Sequence, residues 1–125
     1  MKLDNKFYVY LVLVVAETVA IFWFSFLPAV DFVETGVLRV GDLEHFIAYG
    51  VYGFLLSRVL RYFVKGWKVV LISIVVGSVV GGLSEGVQFV LPYRVGDAVD
   101  WGVDTFGCFV GAMVGVKFKP SSQIN

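Results

Sequence analysis

The sequence predicts an all-α fold, a bundle of four transmembrane helices with both termini in the cytoplasm. Composition is the first reason: 58% of the residues are hydrophobic and 16% charged, with a mean hydropathy of +0.85, far from soluble globular averages. The second is length. Phe7 to Leu27, Trp67 to Leu91 and Trp101 to Phe118 are apolar runs long enough to cross a hydrocarbon core about 30 Å thick, and a shorter run covers Phe46 to Leu60. The third is charge order, because a chain of formal net charge zero keeps its basic and acidic residues in separate segments.

Helix one is expected over about residues 7–27, preceded by Lys2 and Lys6. A cleavable signal peptide is the competing reading of this segment. The apolar stretch exceeds the usual 7–15 residues, no small-x-small site follows it, and its removal would leave an odd number of helices. Glu17 falls near mid-helix, about 15 Å from either end of the run, where a lone charge costs on the order of 3 kcal/mol or more. It should be neutral or paired, and Ser73 and Ser78 of helix three lie at a similar depth. The connection from Pro28 to Glu44 is the longest, and its Val37, Leu38 and Val40 can lie flat at the outer interface.

Helix two is expected over about 45–63, with His45 and Arg61 to Phe63 at the two interfaces. His45, Tyr49 and Tyr52 are spaced four and three apart and share one face. Beside Asp42 and Glu44, His45 alone reads as a salt-bridged interface residue. Helix three, about 67–91, gathers Gly77, Gly81, Ser84, Glu85 and Gln88 into one stripe about 100° wide. Gly82 and Gly86 form a second pair of small residues on another side. Helix four, about 99–118, continues a stripe of Asp97, Asp100, Asp104, Gly107, Gly111 and Gly115 about 80° wide. A doubled GxxxG allows close helix approach, so this face should point into the bundle; it also offers a route to homo-oligomers. One domain covers 1–119 and a polar tail covers 120–125.

Arg58, Arg61, Lys65 and Lys68 surround the turn between helices two and three, and Lys117 and Lys119 follow helix four. The other two connections are acidic. Lysine and arginine bias therefore sets the termini inside and the acidic cluster toward the outer leaflet, in a multi-pass protein of the cell membrane. Cys108 is the only cysteine, which excludes an intramolecular disulfide and a thiolate metal cage and leaves it a small packing residue. Trp23, Tyr62, Trp67 and Trp101 fit interfacial aromatic belts. No basic stripe for nucleic acid and no phosphate-cradling glycine loop is present.

Ionisable groups at membrane depth normally face a bundle interior or a cavity, which makes the polar cluster the functional candidate. Glu85, Asp104 and His45 are the catalytic candidates; Arg94, Gln88, Tyr49, Asp97 and Asp100 are candidates for holding a substrate. His45, Glu85, Asp100 and Asp104 are oxygen and imidazole donors for a divalent cation, although no spacing here is diagnostic of one. Arg94 can clamp a phosphate or carboxylate bidentately. Closely spaced carboxylates can also hold a proton between them and act as general acids. The plainer alternative is that these groups hydrogen-bond one another and fix helix register.

The stretch HFIAYGVYGFLL resembles the His-Phe-x-x-Tyr segment of the VanZ-like membrane proteins, a family named for a teicoplanin resistance determinant. SEGVQFVLPYRVGDAVD is similar to that family's Glu-x-x-Gln segment with its following Arg, Asp and Asp, and DTFGCFVG to its closing Asn-Thr-x-Gly-x-x-x-Gly. Ser25 with Pro28 is similar to a serine-proline motif ending the first helix. The similarities run in family order over roughly residues 22–115. This chain departs from the pattern with Asp42, Leu43 and Glu44 where Asp-Lys often stands, and with Asp104 in place of asparagine. The resemblance implies about four membrane helices and a link to the cell envelope and glycopeptide susceptibility. It supplies no mechanism.

Three functions follow as expectations. The site can bind or process an amphiphile at the outer leaflet, such as a lipid-linked wall precursor or a phospholipid headgroup. Alternatively, Glu17 leading toward Glu85 makes a proton or solute conduit, although no inverted repeat or broken helix is visible. A third role is that of a non-catalytic helical partner of a larger envelope protein.

Overall fold

The first helix starts where Asp4 can cap it. The Asp4 carboxylate accepts a hydrogen bond from the backbone N–H of Phe7 at 3.0 Å, satisfying one of the donors that every helix leaves open at its start. In the computed structural model, which describes residues 3–26, 40–90 and 98–117, the elements are α1 (Asn5–Phe26), α2 (Val40–Leu60), α3 (Trp67–Val90) and α4 (Ala98–Lys117). No strand occurs among the described residues. Both α1 and α3 contain a stretch long and apolar enough to cross a membrane, Asn5–Phe24 and Trp67–Val87. The other two are similar in length, at 21 and 20 residues, but carry more charged side chains.

Helix α2 begins five residues before the expected His45, and ends at Leu60, short of residue 63. Hydropathy marks the apolar run, whereas the helix continues through polar Asp42 and Glu44 because its backbone hydrogen bonds do not depend on side-chain polarity. Residues 61–63 form a tightened turn instead, with Tyr62 N–H donating to Val59 O at 3.2 Å and Phe63 N–H to Leu60 O at 2.9 Å. Gly66 then takes φ +70°, a left-handed conformation that favours glycine, and α3 starts at the next residue.

Packing reveals the directions of the helices. Helices α2 and α4 lie parallel and at backbone contact: Gly107 faces the Phe46 carbonyl, Gly111 the Gly50 carbonyl, and Gly115 the side chain of Ser57. Gly53 of α2 packs in turn on the backbone of Cys108. Antiparallel to α4 runs α3, with Gly77 against the Cys108 side chain and Gly81 against Asp104 and Trp101. Helix α1 leans on α2, joined by a 2.7 Å hydrogen bond between Thr18 Oγ1 and Tyr52 Oη. Tyr49, Tyr52, Leu56 and Cys108 form the centre of the core.

The start of α1, the turn after α2 and the end of α4 meet at one end of the bundle. There Tyr62 donates to the Asp4 carboxylate at 2.8 Å, and Arg61 and Arg58 donate to the carbonyls of Val116 and Gly115 at 3.0 and 3.3 Å. Cations at a helix C-terminus satisfy its open carbonyls and oppose its dipole. Tyr62 is buried and bonded at this end, while Trp23 and Trp67 are exposed.

Polarity is inverted relative to a water-soluble bundle. Ser57, Ser73, Ser84, Glu85 and Asp104 are buried, whereas Val12, Val19, Ile47, Leu71, Val75, Val79, Leu83 and Phe106 face outward. A hydrocarbon solvent accounts for this arrangement, since it accepts apolar side chains and penalises unpaired polar ones.

Candidate functional site

Three helices converge on the polar cluster at comparable depth. His45 lies five residues from the start of α2, Asp104 six from the start of α4, and Glu85 five from the end of α3, about 8–9 Å inside each terminus. One donor atom from each of these three side chains falls within 4.8 Å of the others. The shared level follows from the packing described above, because the parallel glycine contacts put the starts of α2 and α4 side by side while α3 returns antiparallel against α4.

His45 Nδ1 and Asp104 Oδ1 are 2.6 Å apart, the short separation of a charge-assisted hydrogen bond. His45 is thus held by an acid on another helix, a partner that the sequence reading, which looked to the adjacent Asp42 and Glu44, did not single out. Asp104 has no exposed surface and Glu85 is 4% exposed, while the His45 side chain retains 23%. Access among the three thus runs over the imidazole. Asp104 Oδ2 is also buried, and no hydrogen-bond partner reaches it among the described residues. It lies against Gly81, where an added β-carbon would sit 3.2 Å away. Tyr49 continues the face below, its ring parallel to that of His45 with centroids 6.4 Å apart, and Tyr52 follows edge-on at 6.2 Å.

Arg94 and Asp97 lie outside the described residues, as do the side chains of Gln88 and Asp100. Glu17 is partly buried on α1, but no hydrogen bond joins it to Ser73 or Ser78 among the described residues. Ser73 accepts the Cys108 thiol at its carbonyl, 3.1 Å away, and Ser78 accepts the Trp101 indole N–H at 2.9 Å. Cys108 is fully buried as packing, as expected. Gly86 has open space beside it and Gly82 meets only Trp101 at 3.6 Å. Sequence reading missed the bonds from Arg58 and Arg61 to α4, which one basic residue in the last turn of α2 and another just beyond it signal only generically. A surface hollow of about 510 Å³ beside Arg61, Trp67, Ile74 and Met113 lies at the opposite end from the polar cluster.

An all-helical protein with an apolar exterior and a buried imidazole–carboxylate cluster is a small membrane protein. The chain belongs to the VanZ/LLP1 family, whose model matches residues 4–119 and so takes in all four helices. At family level this is a membrane protein associated with glycopeptide resistance. No curated protein and no solved structure matches the chain.

Proposed function

We propose that the protein is a four-span protein of the cell membrane that binds, and in doing so handles, a phosphate-bearing amphiphile of the envelope at the outer leaflet. Lysine and arginine bias sets the end carrying Arg58, Arg61 and Lys117 in the cytoplasm, which turns the His45–Glu85–Asp104 end outward. One observation carries the proposal: three ionisable side chains from three helices meet within 4.8 Å in a bundle whose exterior is apolar. Polar groups of this kind are costly at membrane depth and normally mark a substrate or ion site.

In this function Asp104 orients the His45 imidazole through the Nδ1 bond, and Glu85 supplies a second acid. Arg94 and Asp97, from the segment between α3 and α4, border the headgroup together with Gln88 of α3 and Asp100 of α4, with Arg94 as the anion clamp. A lipid-linked wall precursor and an ordinary phospholipid share the phosphate and differ in the sugar. The test is glycopeptide susceptibility in cells that depend on the protein. Glu85→Gln or Asp104→Asn abolishes the protection while the variant reaches wild-type abundance in the membrane. Full protection by both variants at matched abundance contradicts the proposal.

A further inference from the structure

We infer that His45, Glu85 and Asp104 hold one divalent first-row transition-metal ion of the zinc class, and that this ion receives the phosphate of the headgroup. The second half rests on the proposed function; the first does not. Two carboxylates and an imidazole are a poor receptor for an anion on their own. A bound cation reverses the sign of the site.

The donor set and its geometry point to such an ion. One imidazole nitrogen and two carboxylates suit zinc or manganese, whereas calcium and magnesium prefer all-oxygen shells. Donors at 2.0–2.2 Å from a tetrahedral centre are about 3.3–3.6 Å apart. The three donors here span this value, from 2.6 Å between His45 and Asp104 to no more than 4.8 Å overall. Insertion of the ion displaces the proton shared by Nδ1 and Oδ1, opens that pair by under 1 Å, and draws Glu85 inward.

The independent observation is Asp104 Oδ2. It is a fully buried carboxylate oxygen without a hydrogen-bond partner among the described residues, directed at the α3 face that carries Gly81 and, one turn on, Glu85. Such an atom is costly to bury unless something satisfies it. Gly81 keeps the space beside it clear, since any larger residue would bring a side chain to 3.2 Å from that oxygen. Three protein ligands leave a further coordination position, and the exposed edge of His45 is where an incoming phosphate oxygen reaches it.

The full chain in phosphatidylcholine nanodiscs, stripped with chelator and checked for helicity, is titrated with zinc chloride alone and then with manganese. One ion per chain is expected, with an absorption edge fitted by nitrogen and oxygen neighbours that include an imidazole. Glu85→Gln and Asp104→Asn each weaken binding at least tenfold, whereas Glu44→Gln, an exposed acid nearby on α2, leaves it unchanged. A folded, stripped wild-type protein that takes up neither ion overturns the inference, as does equal affinity in both variants. If metal-free protein binds the headgroup in full, the ion has no receptor role and this inference fails while the proposed function stands. One-to-one zinc binding without any headgroup binding supports the metal site and removes the proposed function.

Discussion

The carbonyl of Gly50 occupies the position that a β-carbon on Gly111 would need. Helices α2 and α4 therefore touch at their backbones, and that contact fixes the level of His45 on one against Asp104 on the other. A methyl group at 111 has no flexible side chain to push aside. Gly111→Ala should lower stability by about 1–3 kcal/mol, the usual cost of overpacking, and loosen the His45–Asp104 bond. Gly86→Ala, with open space around it, is the control and should shift stability by less than about 0.5 kcal/mol. Thermal unfolding of both variants in the same detergent checks the contrast.

The cap on α1 gives a pH dependence with a definite sign. The hydroxyl of Tyr62, and then the Phe7 N–H, hold the Asp4 carboxyl below its ordinary range. The folded chain thus binds fewer protons than the unfolded chain as pH falls through the carboxylate range. Stability from this cap is complete above the unfolded aspartate pKa and is lost as pH falls through the lower, folded one. Asp4→Asn and Tyr62→Phe should both flatten the acid limb of the stability curve, and an unchanged acid limb in both would contradict the assignment.

Arg58 and Arg61 tie the last carbonyls of α4 to α2, and Arg58 also lies over the Tyr10 ring at 5.4 Å. Arg58 is 8% exposed and Arg61 more so. Replacing Arg58 by methionine should cost about 1.5–3 kcal/mol, and replacing Arg61 less, because bonds to a buried charge leave unsatisfied carbonyls behind when removed. Denaturant unfolding in mixed micelles measures the order of the two.

Glu17, on α1, is not one of the three side chains that meet in the His45–Glu85–Asp104 cluster, and its neighbour Thr18 bonds Tyr52 of α2. Glu17→Gln should leave headgroup binding intact, and the thermal midpoint unchanged or raised, since an acid near mid-helix contributes a burial cost. Proton flux through liposomes carrying the wild-type protein, and its reduction by this substitution, would instead favour a conduit.

The four helices were legible because apolar length is written directly into the chain; α1, α3 and α4 end within a few residues of the expected bounds. The start of α2 was not, because residues 40–44, with Asp42 and Glu44 among them, are helical without forming an apolar run. The face of His45, Tyr49 and Tyr52 and that of Gly81, Ser84 and Glu85 could be read from helical period alone. Which faces meet is a long-range matter that periodicity does not encode. The bond from His45 to Asp104 on the parallel helix is accordingly a contact that spacing along the chain does not announce. The bond from Tyr62 to Asp4, 58 residues away in the chain, is hidden from periodicity for the same reason. Glu17 and Ser73 share a depth without sharing a bond, which depth counting does not distinguish.

The central claim is that His45, Glu85 and Asp104 form a binding site and do more than fix helix register. Native mass spectrometry of the protein released from nanodiscs holding a lipid-linked wall precursor and phosphatidylglycerol at equal fractions tests it most directly. The account predicts a retained phosphate-bearing lipid on the wild-type chain that is lost in Glu85→Gln, with the two proteins unfolding at the same temperature. Equal lipid retention by both chains, or a loss that only accompanies unfolding, would contradict it.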